Sequence, residues 1–399
     1  MFTKTSFAIA LLGALVNAQG MNGQGWDNGV AFEDSEFLTW ASINNKDYAT
    51  GQEFAEAKKR WGQTKLEVAN LNSNANSKAK FAVNFTADMT AEEKQNMLGA
   101  LALVDRRDLE AEEPIHEGRR LWTSGGVNWA ASGNLTPVKN QGQCGSCVAF
   151  SISTAMEGLW SIQKGTSPYR LSEQHLVDCT VSYGNYGCRG GWPFYYADFL
   201  INKGATRYED YRPYNATDGN CDPAPVDSNI GSRVQVGKNI EAIANAVSRS
   251  PLVIAMAAGN SAMYNYAGGI ITAADGCPDT YVDHAVAIVG FGTKTETTGT
   301  PGTEGGWTSE TTCRRATRRE RRQKSCDDGS DYSGRICCTT TETYVEPTEG
   351  STVTTEVVDY WIVQNSWSQN WGDQGFFKLD AVEGAGICMM NQYVMEMFL

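Results

Sequence analysis

Apolar residues recur at helical spacing directly after a glycine- and cysteine-rich run near the middle of this 399-residue chain. Steps of three and four residues predict a helix with one buried face. The residues of that face are Ala149, Ile152, Met156, Leu159 and Trp160. The run ahead of it, residues 141–147, reads QGQCGSC. Cys147 would lie in the first turn of the helix, at the positive end of the helix dipole, which favours thiolate over thiol.

Short β-rich runs punctuated by glycine follow from about residue 230. The clearest are Leu252–Met256, Ala285–Gly292 and Tyr360–Val363. A helical half followed by a β half indicates an α+β fold of two lobes. We expect a helical lobe and an antiparallel β-barrel lobe, with the functional site in the cleft between them.

The first 120 residues differ from the rest because all eleven cysteines lie after them. Residues 1–18 are typical of a signal peptide, since Lys4 precedes the apolar run Phe7–Val16 and a small-residue cleavage site follows. Residues from about 33 to 120 are charged and helical in pattern, which predicts a domain boundary near Arg120. We find no later run of about 18 apolar residues, so no transmembrane segment is expected.

The cysteine count and the charge restrict the compartment and the partners. Eleven is an odd number, so one reactive thiol would leave ten cysteines for five disulfides in an oxidising compartment. The net charge is −13 and the pI about 4.8, which disfavours nucleic acid as a partner. These features predict a soluble protein of the secretory pathway.

Residues from about 293 to 357 interrupt the predicted β lobe. The segment is rich in Thr, Glu and Gly, and Arg314–Lys324 holds seven basic residues. It also carries four cysteines, namely Cys313, Cys326, Cys337 and Cys338. We interpret it as a surface insertion, a small disulfide-stapled lobe flanked by flexible Thr-rich arms without secondary structure. The basic run is open to three interpretations, a solvated face, a processing site or a patch for acidic partners, of which a solvated loop is favoured.

Histidine is scarce, and this narrows the search for a general base to His116, His175 and His284. His116 lies in the N-terminal segment. His175 lies in a helix that Ser172 is predicted to cap, and we expect it to be a surface or capping side chain. His284 stands at the head of the apolar strand near residue 285. A lone histidine there is more often a buried structural residue, so the base assignment needs a second signal.

That signal is a resemblance to the papain-like, cathepsin L-like cysteine proteases, carried by residues 141–150 and by the run QNSWSQNWGDQGF at 364–376. The resemblance implies Cys147 as nucleophile, His284 as base and acid, Asn365 as the residue that orients His284, and Gln141 as an oxyanion donor. Val148 departs from the family, which usually has Trp there. No metal or organic cofactor is implied.

The N-terminal segment resembles the propeptides of the same family. Glu53, Trp61, Val68 and Asn72 fall at the spacing of one propeptide motif, and residues 82–90 are similar to a second. The resemblance implies an inhibitory propeptide at 19–120, lying along the substrate cleft, and a peptidase domain at 121–399. The alternative from the residues alone is an ordinary helical domain.

The resemblance also assigns substrate-binding residues and disulfides. The substrate-binding residues are Gly190, Gly191, Trp192, Pro193, Ala255, Asp283, Ala285, Trp367 and Tyr393. Gly191 would pair with substrate backbone, and an apolar pocket made shallow by Tyr393 would take a hydrophobic side chain two residues before the cleaved bond (P2). The implied disulfides are Cys144–Cys188, Cys179–Cys221 and Cys277–Cys388, with the four insertion cysteines pairing among themselves.

The function expected from this resemblance is that of a monomeric cysteine endopeptidase made as a zymogen, in a lysosome or vacuole or outside the cell. Its partners would be protein or peptide substrates, its own propeptide and cystatin-like inhibitors. Endopeptidase is favoured over dipeptidyl-carboxypeptidase because no second histidine pair is available to bind a substrate carboxylate. Two alternatives are a thiol–disulfide oxidoreductase that uses Cys144 and Cys147, and a catalytically silent papain-like binding protein.

Overall fold

A computed structural model of the chain describes residues 32–100, 126–278, 280–298, 306–315, 317–323, 326–328, 330–333, 336–345 and 354–399. Three features of the sequence analysis lie outside these residues: the predicted signal peptide, the predicted boundary near Arg120, and the histidine His116. Within them, no helix combines the length and the apolar character that a membrane span requires.

Residues 32–100 form a helical unit with one short strand, as the sequence pattern predicts. Its elements are α1 (Phe32–Ile43), α2 (Gly51–Asn72), β1 (Lys78–Phe81) and α3 (Ala91–Gln95). Helix α2 begins at a cap in which Thr50 Oγ1 accepts from the Glu53 N–H, while the Glu53 carboxylate accepts from the Ala49 N–H. The buried Trp61 of α2 packs on Phe37 of α1, with ring centroids 5.5 Å apart.

Strand β2 (Val127–Asn128) comes next, and a helical lobe follows it, built from α4 (Cys147–Lys164), α5 (Glu173–Cys179) and α6 (Pro193–Lys203). Ala149, Ile152, Met156 and Leu159 of the predicted apolar face lie in the lobe core, together with the fully buried Val148, whereas Trp160 is only half-buried. Ser172 caps α5 as predicted, because its hydroxyl accepts from the His175 N–H. Gly165, at a φ of 63°, ends α4 in the left-handed conformation.

The prediction that His175 is a surface side chain is wrong. Its exposed fraction is 7%, and its ring lies against Phe199 and Tyr211 at centroid distances of 5.6 and 5.1 Å. The position follows from the α5 cap at Ser172, which turns this face of the helix toward α6. Burial lowers the pKa of His175, so the ring is a neutral packing element.

The remaining elements form the β lobe and the inserted segment. In chain order they are β3 (Ser232–Gln235), α7 (Ile240–Val247), β4 (Leu252–Met256), α8 (Ser261–Asn265), β5 (Tyr266–Ile270), β6 (His284–Thr298), β7 (Gly306–Arg315), α9 (Arg318–Gln323), β8 (Asp331–Ser333), β9 (Ile336–Val345), β10 (Thr354–Gln364), β11 (Phe376–Asp380) and β12 (Tyr393–Phe398). The three strands predicted at residues 252, 285 and 360 are confirmed within β4, β6 and β10.

The α+β fold of two lobes is confirmed, and its β lobe is built on an open antiparallel sheet rather than a closed barrel. Its strand order is β11-β10-β6-β4-β12-β3, with β2 paired to β6 and no pairing between the end strands β11 and β3. The central strands serve two cores, because successive side chains of a strand point to opposite faces. Ile254 and Val286 pack in the core of the β lobe, whereas Val253 and Ala285 pack against the helical lobe. A sheet covered on both faces keeps its core layers without closing on itself.

The Thr-rich arms of the inserted segment are paired strands, which corrects the expectation of flexible loops. Strands β6 and β10 remain in antiparallel register out to Thr298 and Thr354. Beyond them lies a three-stranded sheet of order β7-β9-β8. A disulfide joins Cys326 to Cys337, and Cys338 is also oxidised in a disulfide. Threonine is β-branched and favours extended backbone, so a long two-stranded ribbon forms where composition alone suggested a loop.

The helical N-terminal unit is attached to the β lobe through backbone and side-chain contacts. Strand β1 pairs antiparallel with β5. The Asn84 Nδ2 amide donates to the Tyr264 carbonyl at 2.8 Å. Lys78 forms an ion pair of 2.8 Å with Glu356 on the ribbon. These contacts fix the position from which the chain continues toward the cleft.

Candidate active site

Cys147 is the first residue of α4 and lies where the helical lobe meets strand β6. It is fully buried, and among the described side chains it is the one cysteine outside a disulfide. Its Sγ accepts a hydrogen bond of 3.4 Å from the Ala285 N–H, one residue after His284. The thiol at the start of α4 therefore lies beside the first residues of β6, the strand that begins with His284.

His284 is held by a residue that follows the adjacent strand. Its Nε2 hydrogen-bonds to Asn365 Oδ1 at 2.8 Å, and Asn365 comes directly after β10, which pairs with β6. The buried indole of Trp367 lies over the imidazole at a centroid distance of 4.8 Å. The second ring nitrogen, Nδ1, is buried without a hydrogen-bond partner among the described residues. This arrangement shields the His284–Asn365 bond from water.

Burial favours the neutral forms of the Cys147 thiol and the His284 imidazole. Burial raises the pKa of the Cys147 thiol to about 12, although backbone N–H groups, foremost that of Ala285, act in the opposite direction. Burial lowers the pKa of His284 to about 4, against the effect of its hydrogen bond to Asn365. The helix-dipole effect expected from the sequence is therefore outweighed here by desolvation.

Residues 97–100 of the N-terminal unit cover the thiol. The Met97 carbonyl accepts from Gln141 Nε2 at 3.0 Å, and the Gly99 and Ala100 N–H groups both donate to the Asp283 carbonyl at 2.9 Å. The Gly191 N–H donates to the Gly99 carbonyl at 2.8 Å. Ala100 and Gly191 are the partners of an isolated parallel β-bridge. The segment thus enters the cleft from the turn after α3, and Gly99 and Ala100 are held there by their backbone groups.

Gly99 is the residue that permits this close approach. A Cβ atom built on it would collide with the Gly145 carbonyl group. Sequence reasoning missed residues 97–100, although the stretch MLGALALV at 97–104 offered a signal. A glycine inside an apolar run directly after the charged helix α3 is typical of backbone that must approach another chain segment closely.

Gln141 is fully buried and its amide is completely engaged. Nε2 donates to the Met97 and Cys144 carbonyls at 3.0 and 2.8 Å, while Oε1 accepts from Ser366 Oγ. A buried amide fixed in this way is preorganised to donate to an oxygen that stands where the Met97 carbonyl now stands.

The residues assigned to substrate binding surround residues 97–100. Tyr393, Ala255 and Ala285 are cross-strand neighbours on β12, β4 and β6, and Trp192 packs edge-on against Tyr393 with centroids 5.1 Å apart. Ala100 is buried in the same apolar cluster. Pro193 begins α6 directly behind Trp192.

Two further assigned residues act through their backbone. Gly190 has a φ of 105°, a conformation that glycine adopts readily. Asp283 presents its carbonyl to the cleft, while its carboxylate accepts from the Ala258 and Gly259 N–H groups at 2.7 and 3.1 Å. Burial raises the pKa of the Asp283 carboxyl. This carboxylate is therefore a structural support for the loop that follows β4.

The structure contains the disulfides Cys144–Cys188, Cys179–Cys221 and Cys277–Cys388. The first lies beside the candidate site and accompanies a hydrogen bond of 2.8 Å from the Gly145 N–H to the Cys188 carbonyl. Because Cys144 is oxidised with Cys188, the redox pair of Cys144 with Cys147 required by an oxidoreductase is absent. Across the described ranges, no three His, Cys, Asp or Glu side chains converge as metal ligands.

Comparisons with known proteins agree with this architecture. Residues 124–308 and 348–398 match the family described as papain family cysteine protease. Residues 37–93 match the cathepsin propeptide inhibitor domain. Residues 309–347, inside the inserted segment, fall between the two parts of the first match.

Curated relatives and solved structures include proteases and their precursors. The oryzain beta chain of Oryza sativa subsp. japonica is 30% identical over 344 residues, which is 84% of this chain and 59% of oryzain. Digestive cysteine proteinase 3 of Homarus americanus is 29% identical over 75% of this chain and 74% of its own length. The digestive procathepsin L2 structure from Tenebrio molitor is similar with a TM-score of 0.68 at 24% identity, covering 92% of this chain and 100% of that one.

The two-lobed fold, the helical unit that enters the cleft and the family match over more than half of the sequence lead to one assignment. The chain belongs to the papain family of cysteine proteases.

Proposed function

We propose that this chain is the zymogen of a cysteine endopeptidase that cleaves peptide bonds through Cys147, His284, Asn365 and Gln141. The observation that carries the proposal is the peptide segment 97–100, which lies over Cys147 with a carbonyl on the Gln141 amide. A site that binds peptide backbone there can bind a peptide substrate there. The proposed domains are a signal peptide at 1–18, a propeptide at 19–120 and a peptidase domain at 121–399 with its insertion at about 293–357.

Removal of residues 97–100 would change the protonation of the pair. Water entering the cleft reduces the desolvation that keeps Cys147 and His284 neutral. The helix dipole of α4 and the neighbouring imidazole then favour a thiolate–imidazolium pair, whose two pKa values belong to the pair as a whole. Asn365 Oδ1 supports the imidazolium because it accepts from Nε2.

The chemistry is an acyl transfer in two steps. The Cys147 thiolate attacks the peptide carbonyl carbon, and the negative oxygen is stabilised by Gln141 Nε2 and the Cys147 N–H. The C–N bond breaks as the His284 imidazolium gives its proton to the leaving amine, which leaves a thioester on Cys147. His284 then removes a proton from water, which hydrolyses the thioester and releases the acid.

The pocket formed by Trp192, Tyr393, Ala255 and Ala285 would receive the P2 side chain. All four side chains are predominantly apolar, so a hydrophobic residue is preferred. The ring contact between Trp192 and Tyr393 makes the pocket shallow, and Ala100 belongs to the same buried apolar cluster. None of these four pocket residues is acidic, so a basic P2 side chain is disfavoured.

The enzyme would act as a monomer in a lysosome or vacuole or outside the cell, on protein or peptide substrates. Its propeptide is the first inhibitor, and cystatin-like proteins that enter the same cleft would be others. The catalytically silent alternative has no observation in its favour, and the presence of Cys147, His284, Asn365 and Gln141 in the sequence supports an active enzyme.

The test is hydrolysis of a fluorogenic peptide with a hydrophobic P2 residue after acid processing of the purified proenzyme in a reducing buffer. Thiol-dependent turnover that the Cys147→Ala variant abolishes supports the proposal. Unfolding of that variant is excluded by comparing its circular dichroism and thermal transition with those of the parent. A processed parent enzyme without turnover on any peptide would establish the silent alternative instead.

A further inference from the structure

A small cavity lies behind the candidate site, where α4 meets β6 and β10. Its volume, counted as the space open to the centre of a water molecule, is about 10 Å³, which is close to what one water molecule needs. The polar residues that line it are Lys139, Ser151, Thr154, Gln364, Asn365 and Ser366. The cavity is therefore both small enough and polar enough to hold a single ordered water.

Two polar atoms of the lining residues have no hydrogen-bond partner among the described residues. They are Asn365 Nδ2, which is a donor, and Gln364 Oε1, which is an acceptor. Each of the two residues has an exposed fraction of 3%, so bulk water does not satisfy them. One water molecule that accepts from Nδ2 and donates to Oε1 would satisfy both atoms.

The orientation of the Asn365 amide supports this donor and acceptor assignment. Its other atom, Oδ1, accepts from the Ser366 N–H at 2.8 Å and faces His284 Nε2 at the same distance. Because the Ser366 N–H can only donate, the atom beside it must be the oxygen, and the NH₂ group must face away from His284. Gln364 itself is fixed by β10, with Ala287 and Phe376 as its partners on either side.

We propose that Gln364 is a positioning residue for the Asn365 amide, acting through one water molecule bound in this cavity. The inference rests on the proposed function, in which Asn365 orients His284. An amide held only at its oxygen, by the Ser366 N–H and His284 Nε2, can still tilt out of line with the imidazole, which weakens the hydrogen bond to His284. The water bridge holds the opposite end of the amide and so keeps the oxygen on His284.

The kinetic test compares processed Gln364→Leu with the parent enzyme. We expect kcat to fall about tenfold with KM within about twofold, as for loss of a supporting hydrogen bond behind a catalytic group. The alkaline limb of the pH profile of kcat/KM should move to lower pH, because the imidazolium loses an oriented acceptor. Gln364→Glu keeps an oxygen acceptor at this position and should restore kcat to within about threefold of the parent.

Gln235→Leu is the matched control, because Gln235 is also a buried glutamine whose Oε1 has no partner, and it lies on the outer strand β3. It should reproduce any loss of stability without changing kcat or the pH profile. Equal kinetics for Gln364→Leu and Gln235→Leu would overturn the inference while leaving the peptidase assignment intact. Absence of thiol-dependent turnover in the parent itself would instead refute the proposed function.

A crystal structure of the Cys147→Ala proenzyme provides the direct test and does not depend on the folding of any Gln364 variant. We expect one ordered water within hydrogen-bond distance of both Asn365 Nδ2 and Gln364 Oε1. An empty cavity, or a water that contacts neither atom, would disprove the bridge.

Discussion

The Met97 carbonyl oxygen accepts a hydrogen bond from Gln141 Nε2 at 3.0 Å. The proposed oxyanion donor is thus occupied by a backbone oxygen of the chain's own N-terminal unit. The carbonyl is held there by the backbone hydrogen bonds of Gly99 and Ala100, which we call the backbone clamp. Inhibition should depend on this clamp more than on any side chain of the segment.

Replacement of Gly99 by valine should weaken inhibition, since any Cβ at this position meets the Gly145 carbonyl. We expect the unprocessed proenzyme to react with iodoacetamide at Cys147 at least about tenfold faster than the parent, because displacing the segment exposes the thiol. Gly62→Ala is the control, since a Cβ on Gly62 in α2 has no neighbour within 4 Å. Unchanged alkylation of Gly99→Val would contradict the clamp.

Acid should open the cleft through His284, whose pKa is lowered to about 4 in the closed state. In the Cys147→Ala proenzyme, which has no thiolate to pair with the ring, an open-state pKa near the usual 6.5 means that only the open state binds the proton between these values. The closed state is therefore fully favoured above about pH 6.5 and loses up to about 3 kcal/mol as the pH falls to 4. Hydrogen exchange of residues 97–100 in Cys147→Ala proenzyme should accelerate over this window.

The control for acid opening is the double variant Cys147→Ala, His284→Asn, which lacks the titrating ring. Its exchange at residues 97–100 should vary much less between pH 6.5 and 4 than that of the single variant. An equally steep dependence would assign the acid response to other groups.

Enlarging the apolar pocket should change the P2 preference. Tyr393→Ala removes the ring that packs on Trp192, so kcat/KM for a P2 phenylalanine peptide should rise about tenfold relative to a P2 valine peptide. The measurement is a pairwise competition between the two fluorogenic peptides. Tyr183→Ala, which removes a tyrosine of the helical lobe, should leave the ratio unchanged.

Lys139 should be essential for stability because it neutralises two buried carboxylates. Its Nζ lies 2.6 Å from both Glu157 and Glu173, and all three side chains are almost fully buried. Lys139→Met leaves the Glu157 carboxylate without a cation, while Glu173 keeps only its contact of 3.3 Å with Arg170, so we expect a loss of about 3–5 kcal/mol in the free energy of unfolding. Urea denaturation measures it. The same change at exposed Lys203 should cost less than about 0.5 kcal/mol.

The inserted segment should be dispensable for folding. Thr298 and Thr354 are partners in the β6–β10 register, so an Asn-Gly turn replacing residues 299–353 can close the ribbon as a tight hairpin. We expect the thermal transition and peptide turnover to remain close to those of the parent. Loss of turnover in a folded truncated protein would show that the lobe contributes to the site.

Local patterns in the sequence predicted the elements that bear the site but not their closed state. The helix after Cys147, the cap at Ser172 and the strand at Leu252–Met256 follow from spacing and capping, which are properties of neighbouring residues. The neutral state of Cys147 and His284 depends on burial by residues 97–100, which lie far away in the sequence. The burial of His175 likewise depends on Phe199 of α6, which is also distant in the sequence.

The Thr-rich arms show a second limit of prediction from local sequence. A Thr and Glu composition without apolar alternation is typical of a loop, but here each arm is paired with the other over the whole ribbon. The pairing continues a register set by the buried part of β6 and β10, so the signal lies in the strands that precede and follow the arms.

At one end of their pairing, strands β6 and β10 lead to His284 and Asn365, and at the other end they lead to the three-stranded sheet of the inserted segment. Each residue pair added at the distal end lengthens the hairpin without shifting the register at the proximal end. The hairpin tip is therefore a place where this scaffold can acquire new sequence, including whole subdomains, while the chemistry at its base is left untouched.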